Sequence, residues 1–264
     1  MNGAAAPRIA SLVPSVTELL IALGLRPWMV ARTGFCIHPA GEVADIPKVG
    51  GTKDVNLAKL RRLAPSHVIV NVDENRADTA AALREFVPEL IVTHPQAPQD
   101  NAALIAQMQA HFGHLPGVAA RAQALQLSLA QALQSARGKT WPPQRVLYLI
   151  WKDPWMSVAR DTYISRMLAE VGWQSWPEVF GGDAGAARYP VIRGDEPWLL
   201  DIDELLLSSE PYRFDESHLA AAQALCPRAR VRLVDGELLS WYGPRAAAGL
   251  HYLMELRAWT SSSP

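Results

Sequence analysis

Short apolar runs alternate with longer amphipathic stretches along the first part of this 264-residue chain. The apolar runs have the length of buried strands and cover residues 9–13, 28–31, 68–72 and 90–93, with a shorter extended piece at 46–49. The stretches with apolar residues at helical spacing cover residues 16–23, 57–63, 78–87 and 101–112. Strands that alternate with helices in this way predict a mainly parallel sheet covered on both faces.

Polar residues mark where several of these helices are expected to begin. Ser15 stands three residues before Glu18, which is the spacing of a capping box. Asp54 and Asp161 precede later helical stretches, and we expect their side chains to cap them.

The same alternation returns in the last part of the chain. Predicted strands cover residues 145–150, 205–207 and 231–234, and predicted helices cover 161–171, 217–225 and 245–259. The stretch 173–198 holds Gly181, Gly182, Gly185 and several prolines, and we predict it to be irregular.

One long helical stretch separates the two alternating parts. Residues 118–137 contain neither Pro nor Gly, and Leu125, Leu129 and Leu133 recur at a spacing of four residues. A helix of this length spans about 30 Å. We therefore predict a first α/β lobe over 1–115, a connecting helix over 116–138 and a second α/β lobe over 139–264. The expected fold is two Rossmann-like lobes with mainly parallel sheets, joined by one rigid helix.

Charge and hydropathy exclude two classes of protein. The net charge is −1, which removes the broad attraction that nucleic-acid binders show. No stretch approaches the ~20 consecutive apolar residues that a membrane-spanning helix needs.

The first residues show no export signal, which predicts a cytoplasmic location, or a periplasmic one if a leader has been removed or replaced. The two cysteines, Cys36 and Cys226, are expected to be buried free thiols.

Aromatic residues are concentrated in the second lobe, where several follow predicted strands. All six Tyr and eight of the nine Trp lie after residue 139. Ligands of open parallel sheets bind beyond the carboxyl ends of the strands, so aromatic residues there are expected to form one wall of a site. Such a wall suits a large, flat ligand with apolar and polar edges, although each Trp taken alone could instead cap the core. The residues in question are Trp151, Trp155, Tyr212, Trp241 and Tyr242.

Motifs for nucleotides and metals are weak. Gly50-Gly51-Thr52-Lys53 lacks the spacing of a phosphate-binding loop, and no GxGxxG occurs. His38 and His94 follow strands of the first lobe and could ligate one metal ion, but no Asp, Glu or Cys set completes the site. Glu74 and Glu210 stand beyond one strand of each lobe, either as solvated carboxylates or as a pair that docks a partner.

Several segments together resemble one known family. They are RIASLVPSVTELLIALG, IPKVGG, GFCIHP, KVGGTKDVNLAKLRRLAPSHVIVNVDENR, VLYLIWKDPWM, RDTYIS, SEPYRF and DGELLSWYGPR. The first two and the long middle helix resemble the helical-backbone (class III) periplasmic binding proteins of ABC importers. The others resemble the branch labelled cobalamin-binding or helical-backbone metal receptor proteins. The resemblance runs from about Arg8 to Leu256, nearly the whole chain.

The resemblance implies a receptor, not an enzyme, that holds a cobalamin-type corrinoid or related metal chelate in an aromatic ligand cleft between the lobes and passes it to an ABC importer. It implies no required cofactor and no catalytic residue, and we expect a monomer. The implied ligand-binding residues are Trp151, Asp153, Trp155, Tyr189, Tyr212, Trp241, Tyr242 and Arg245, with Arg160 and Tyr163 as weaker candidates. Glu74 and Glu210 are implied to dock onto the importer's membrane subunits, and His38 or His94 is a weak candidate for an axial ligand to the metal.

Three alternatives stay open at this point. A receptor for an anionic iron-siderophore is expected to use arginines, for which Arg188, Arg193 and Arg245 are candidates. A heme receptor would use the same flat aromatic site. A tetrapyrrole metal chelatase would also need a flat cleft, with His and carboxylate groups clustered in it. A protein that stores, traffics or senses the ligand in the cytoplasm is a further variant of the receptor hypothesis.

Overall fold

A computed structural model describes the backbone of residues 6–260 and the side chains of residues 6–258. The chain forms two compact units. The first contains the residues up to Pro95, Asn101–Leu127 and Tyr242–Pro244, and the second contains Gln96–Asp100, Ser128–Trp241 and the residues from Arg245 onwards. The division passes through the long helix, whereas the sequence-based prediction set the whole helix apart from both lobes.

The first unit is built on a four-stranded sheet in the order β2-β1-β3-β4, in which every pair of neighbours is parallel. Its elements are, in chain order, β1 (Ile9–Ser11), α1 (Pro14–Ala22), β2 (Met29–Arg32), α2 (Ala40–Val43), α3 (Leu57–Arg62), β3 (His67–Asn71), α4 (Ala77–Arg84), β4 (Glu89–Thr93), α5 (Asn101–Phe112) and the first half of α6 (Val118–Arg137). Between the sheet and its helices lies a core of buried Ala, Val and Leu side chains.

Two helix starts in the first unit differ from the prediction. No capping box forms at Ser15, because Pro14 occupies the first turn of α1 and Ser15 already lies inside the helix. Proline is favoured there since its fixed φ suits the helix and its missing N–H would have no intrahelical partner. Asn56, not Asp54, caps α3: its side-chain oxygen accepts from the backbone N–H of Lys59 at 2.8 Å.

The second unit repeats the plan with a parallel sheet in the order β10-β9-β5-β7 and a two-stranded antiparallel ribbon of β6 and β8. Its elements are the second half of α6, β5 (Gln144–Leu149), β6 (Trp155–Met156), α7 (Tyr163–Ala169), β7 (Trp173–Trp176), β8 (Val191–Ile192), β9 (Glu204–Ser208), α8 (Leu219–Leu225), β10 (Arg230–Val234), α9 (Gly236–Ser240) and α10 (Arg245–Thr260). Two α/β units with parallel sheets confirm the predicted fold class.

The stretch predicted to be irregular contains the strand β7. Trp173 and Ser175 are buried while Gln174 between them is exposed, the alternation of a strand with one buried face. Four residues are too few for this alternation to stand out from the Gly and Pro that follow. Pairing with β5, in register from Gln144 with Trp173 to Leu147 with Trp176, supplies the backbone partners that make the segment a strand.

A third capping prediction was also wrong. Thr162, not Asp161, caps α7, and its hydroxyl accepts from the N–H of Ser165. The Asp161 carboxylate instead accepts hydrogen bonds from the backbone N–H groups of Gly181 and Gly182, at 2.9 and 2.7 Å.

Helix α6 covers the predicted residues and buries one stripe. Val118, Ala122, Leu129, Ala132 and Ala136 are buried, while the rest of the surface is largely exposed. Within residues 6–260, neither α6 nor any other helix combines the length and the apolar content required to cross a membrane.

Both cysteines are free and buried. Burial raises the pKa of the Cys36 thiol and raises that of Cys226 to about 12. Neither is therefore a reactive thiolate.

The contact between α9 and α10 allows a test of the packing of the second unit. A Cβ atom at Gly249 would lie 2.0 Å from the Leu238 carbonyl oxygen, which is backbone and cannot rotate away. We expect Gly249→Ala to lower the free energy of unfolding by about 2 kcal/mol or more, and thus Tm by at least about 4 °C. Gly41→Ala is the control, because Gly41 lies in helix α2 with open space around its Cα. That variant should keep or slightly raise Tm, and a Gly249→Ala protein as stable as the control would contradict this close approach of α10 to α9.

Candidate functional site

At the carboxyl edge of the second sheet, the residues that follow β5 lie beside those that follow β9. Leu149 of β5 is in register with Leu207 of β9, so the two strands end at nearly the same level. The chain then continues to Trp151 after β5 and to Tyr212 after β9, and the Tyr212 N–H donates to the Ile150 carbonyl at 3.3 Å. Parallel pairing thus places the side chains that follow the two strands next to each other.

These residues form an aromatic cluster, which we define as Trp151, Trp155, Tyr212, Phe214 and His218. Trp151 meets Tyr212 edge to face, with ring centroids 5.5 Å apart. Tyr212 contacts Phe214 at 4.7 Å, and Trp155 stacks on Phe214 at 6.0 Å with an interplanar angle of 12°. Three predicted site residues are therefore brought together, in geometries that aromatic rings favour.

A short polar chain fixes the orientation of the cluster. The Tyr212 hydroxyl lies 2.9 Å from His218 Nε2, and His218 Nδ1 lies 2.9 Å from Asp215 Oδ1. Hydrogen bonds from the Ser217 hydroxyl and N–H, with the His218 contact, lower the pKa of Asp215, so the carboxylate is ionised and can hold the imidazole. Sequence analysis missed Phe214 and His218. Tyr212, Phe214 and His218 follow β9 closely in the sequence, which could have indicated a cluster. Their spacing predicts contact between the rings only when the geometry of the turn is known.

The outer face of the cluster is open to solvent at one residue. Trp151 is 41% exposed, whereas Phe214 beneath the other rings is buried. Lys152 Nζ lies 5.7 Å from the Trp155 ring and pairs with Asp153 at 2.8 Å. Asp153 has a φ of +62° and a largely exposed carboxylate. The arrangement offers one exposed indole ring, Trp151, with charged side chains nearby, which can stack against a planar ligand and bind polar groups on its rim.

Trp241 and Arg245 belong to a second, more buried arrangement. The Trp241 indole N–H donates to Glu210 Oε1 at 2.8 Å, and the Ser240 hydroxyl bonds to the same oxygen. Arg245 lies over the Trp241 ring, with its guanidinium carbon 4.7 Å from the centroid, and pairs with Glu237 at 2.6 Å. Trp241 is only 8% exposed, so it is held as part of the unit's interior.

Glu210 therefore accepts hydrogen bonds that hold Ser240 and Trp241 in place, a structural role that the sequence did not indicate. Its carboxylate is half-buried and turned towards Ser240 and Trp241. Burial raises its pKa above the ordinary glutamate value, and the nearby Glu237 adds to the shift while the hydrogen bonds oppose it. The role of Glu210 in docking a partner stays a prediction.

The remaining candidates of the second lobe are dispersed. Tyr242 is buried and belongs to the first unit, where the next residue, Gly243, donates its N–H to Asn101 Oδ1 at 2.5 Å. Tyr189 is half-buried at the end of a short 3-10 helix. Tyr163 is buried in the first turn of α7, and Arg160 donates to the Ser175 carbonyl and to Glu178.

At the carboxyl edge of the first sheet, amide side chains organise the loops. Asn75 donates to the carbonyls of Leu12 and Thr52, and Asn71 Oδ1 accepts from the N–H groups of Asp73 and Glu74. Glu74 is half-buried at this edge.

The two candidate metal-ligating histidines of the first lobe have different settings. His94 Nε2 lies 3.5 Å from Asp73 Oδ2, whereas His38 is half-buried in the loop after β2. Across residues 6–258, no three His, Cys, Asp or Glu side chains form a set suited to a metal ion.

The first unit also exposes apolar residues that sequence analysis did not single out. Phe35 is 64% exposed in the loop after β2, and its ring lies 3.2 Å from the position that a Cβ atom at Gly51 would take. Ile37 and Val72 are exposed in loops at the same edge. Phe35 is visible in the GFCIHP segment, but the sequence alone does not predict whether its side chain is buried or exposed.

The raised pKa of Glu210 predicts a pH dependence. Ionisation costs more in the folded protein than in the unfolded chain, so the stability contributed by this group is present below its unfolded pKa and lost as pH rises through its folded pKa. Glu210→Gln does not titrate and keeps an oxygen for the Trp241 indole. We expect Tm of the variant relative to the unsubstituted protein to increase between about pH 4 and about pH 7.

The exposed Glu216→Gln variant controls for the loss of one negative charge. A Tm difference for Glu210→Gln that stays constant with pH would show that Glu210 is not buried as described.

Comparison with solved structures supports the fold. The periplasmic vitamin B12 binding protein BtuF of Vibrio cholerae aligns over 98% of this chain and 99% of its own, with a TM-score of 0.78 and 19% identity. The periplasmic heme binding protein HutB of Vibrio cholerae aligns over 96% and 99%, with a TM-score of 0.77 and 22% identity. A periplasmic heme binding protein from Pseudomonas aeruginosa aligns over 98% and 94%, with a TM-score of 0.75 and 23% identity. No curated protein matches this chain by sequence.

A family model describes the same relationship at the level of sequence. The model for periplasmic binding proteins matches residues 9–186, which is more than half of the chain and includes strands of both units. Proteins of this kind bind substrates for transport and are not enzymes, so the chelatase alternative is removed and the predicted receptor class is confirmed. The chain belongs to the periplasmic binding protein family.

Proposed function

We propose that this protein binds a cobalamin-type corrinoid, or a closely related planar metal chelate, and delivers it to an ABC-type importer. The observation that carries the proposal is the aromatic cluster at the carboxyl edge of the second sheet. Its rings are fixed by mutual contacts and by the Asp215–His218–Tyr212 chain, and Trp151 is 41% exposed. A prearranged aromatic surface loses little conformational entropy when a flat ligand stacks on it.

The charges of the second unit favour a ligand of low charge over an anionic siderophore. The three arginines considered for such a chelate each have a partner within the same unit. Arg188 is buried and donates to the Gly182 carbonyl, Arg193 pairs with Asp195, and Arg245 pairs with Glu237. A siderophore would have to compete with these partners, whereas a corrinoid binds largely through its apolar faces and amide edges.

Heme is the second candidate ligand, and one observation favours it. In the first unit the His94 imidazole lies 3.5 Å from the Asp73 carboxylate, the kind of pairing that orients a histidine for a metal. Two of the compared structures are heme-binding proteins by their names, and one binds vitamin B12. Heme iron is commonly bound by a histidine as axial ligand.

For delivery, Glu74 is the candidate contact with the importer, because it stands half-exposed beyond β3. Charged groups at such positions steer association and fix the register of a complex. Glu210 is the second candidate, although its carboxylate also holds Ser240 and Trp241. The cellular location and the monomeric state stay predictions.

The proposal is tested by titrating the protein with cyanocobalamin and, separately, with hemin. Tryptophan fluorescence and the absorption bands of the macrocycle report binding. We expect one-to-one binding of one macrocycle, and we expect Trp151→Ala to weaken it about tenfold or more, since about 1.4 kcal/mol of stacking is lost.

Trp141→Ala is the matched control, because Trp141 lies just before β5 at the opposite end of that strand and bonds to the Ala136 carbonyl. Its affinity should equal that of the unsubstituted protein. Equal affinities for Trp151→Ala and Trp141→Ala would remove the aromatic cluster from the site, and binding of neither macrocycle would refute the proposed function.

A further inference from the structure

The loop that follows β7 presents an aromatic side chain to solvent. Phe180 is 74% exposed, the highest value among the large hydrophobic side chains of the described residues. Val179 beside it is also exposed. An exposed phenyl ring does not contribute the stabilisation that burial would give, so the folding of the chain alone does not explain a Phe at this position.

The loop is fixed by a clasp of polar contacts. The Asp161 carboxylate accepts from the N–H groups of Gly181 and Gly182, and the buried Arg188 guanidinium donates to the Gly182 carbonyl at 2.5 Å. The two backbone N–H donors, together with the positive charge of Arg188, lower the pKa of Asp161 against the opposing effect of burial. Gly181 admits no side chain, since a Cβ atom there would lie 2.4 Å from the Arg188 Cα.

The clasp therefore fixes the backbone on both sides of Phe180. Two adjacent N–H groups bound to one carboxylate set the direction of the backbone immediately after Phe180, and the N–H of Arg160 donates to the Val179 carbonyl immediately before it. The ring stands on a segment that is anchored on both sides. A fixed apolar group loses less entropy on binding than one on a mobile loop.

Phe180 is connected to the aromatic cluster through the ribbon of β6 and β8. Trp151 bridges to Met156, and Met156 pairs with Val191, which is exposed. Backbone bonds then continue along the same segment, from Ser157 to the Pro190 carbonyl and from Ala159 to the Arg188 carbonyl, up to the Arg160–Val179 bond.

The register of the sheet supports the same placement. Leu147 of β5 pairs with Trp176 of β7, so both strands leave the sheet at one edge. Trp151 and Phe180 each follow this pair by four residues. The chain from Met156 to Arg160 can span at most ~13 Å, the length it would have if fully extended.

We propose that the exposed side chains of Trp151, Val191 and Phe180, whose connecting segment 157–159 is buried, form one strip that contacts a single ligand, and that Phe180 contacts the apolar periphery of a macrocyclic ligand. The inference rests on the proposed function and narrows it. A hydrated metal ion or a small chelate would touch only the aromatic cluster, whereas a macrocycle with alkyl groups at its edge is large enough to reach both ends of the strip. Phe180 then determines specificity for the periphery of the ligand.

The test measures Kd for cyanocobalamin and for hemin with five proteins: unsubstituted, Trp151→Ala, Phe180→Ala, Asp161→Asn and Leu127→Ala. Leu127 is an apolar residue on α6, in the first unit, that is 58% exposed, and it controls for the removal of surface hydrophobicity. We expect Phe180→Ala to weaken binding of the preferred macrocycle about tenfold, and Leu127→Ala to leave it unchanged. Asp161→Asn loosens the clasp and should weaken binding by a smaller factor.

Circular dichroism and Tm separate these effects from unfolding, and Phe180→Ala is expected to keep the unsubstituted Tm because its ring is exposed. If Phe180→Ala binds as tightly as Leu127→Ala while Trp151→Ala loses affinity, the extended surface is overturned and the proposed function stands. If the unsubstituted protein binds neither macrocycle, the proposed function fails and this inference fails with it.

Discussion

The parallel pairing of β5 with a strand on either side is the constraint on which the candidate site depends. Register with β9 brings Trp151 and Tyr212 together, and register with β7 brings the loop of Phe180 to the same edge. Parallel strands leave their sheet in one direction, so residues far apart in sequence collect at one edge without any contact of their own. The aromatic contacts then fix side chains that the backbone has already placed.

Periodicity predicted the fold well, because the helices and buried strands carry most of the apolar surface. Helix α6 covers the residues predicted for it, and the two parallel sheets follow from the alternation of strands with helices. The caps were predicted less well. Asp54 and Asp161 have the chemistry of a cap, but Asn56 and Thr162 lie where the first free N–H groups are, and the difference of one or two residues depends on loop geometry.

The candidate site was only partly predictable for a related reason. An aromatic residue after a strand lies at the carboxyl edge, and the sequence thus predicted that Trp151, Trp155 and Tyr212 lie there together. Whether such a residue faces solvent depends on what covers it, and Trp241 is buried against Glu210 and Arg245. Phe35 and Phe180 are exposed, and the sequence did not predict this. A single Phe next to Gly residues has no periodic neighbours from which its exposure could be inferred.

The buried thiols have a consequence for the compartments in which this fold can work. Both cysteines of the chain are enclosed and protonated, and no disulfide contributes to the fold. Oxidants and glutathione act on exposed thiolates, so neither a reducing nor an oxidising environment changes the covalent structure of the core. The fold of such a protein does not depend on the redox state of its surroundings. A change of compartment would therefore leave the two thiols, and the packing around them, chemically as they are.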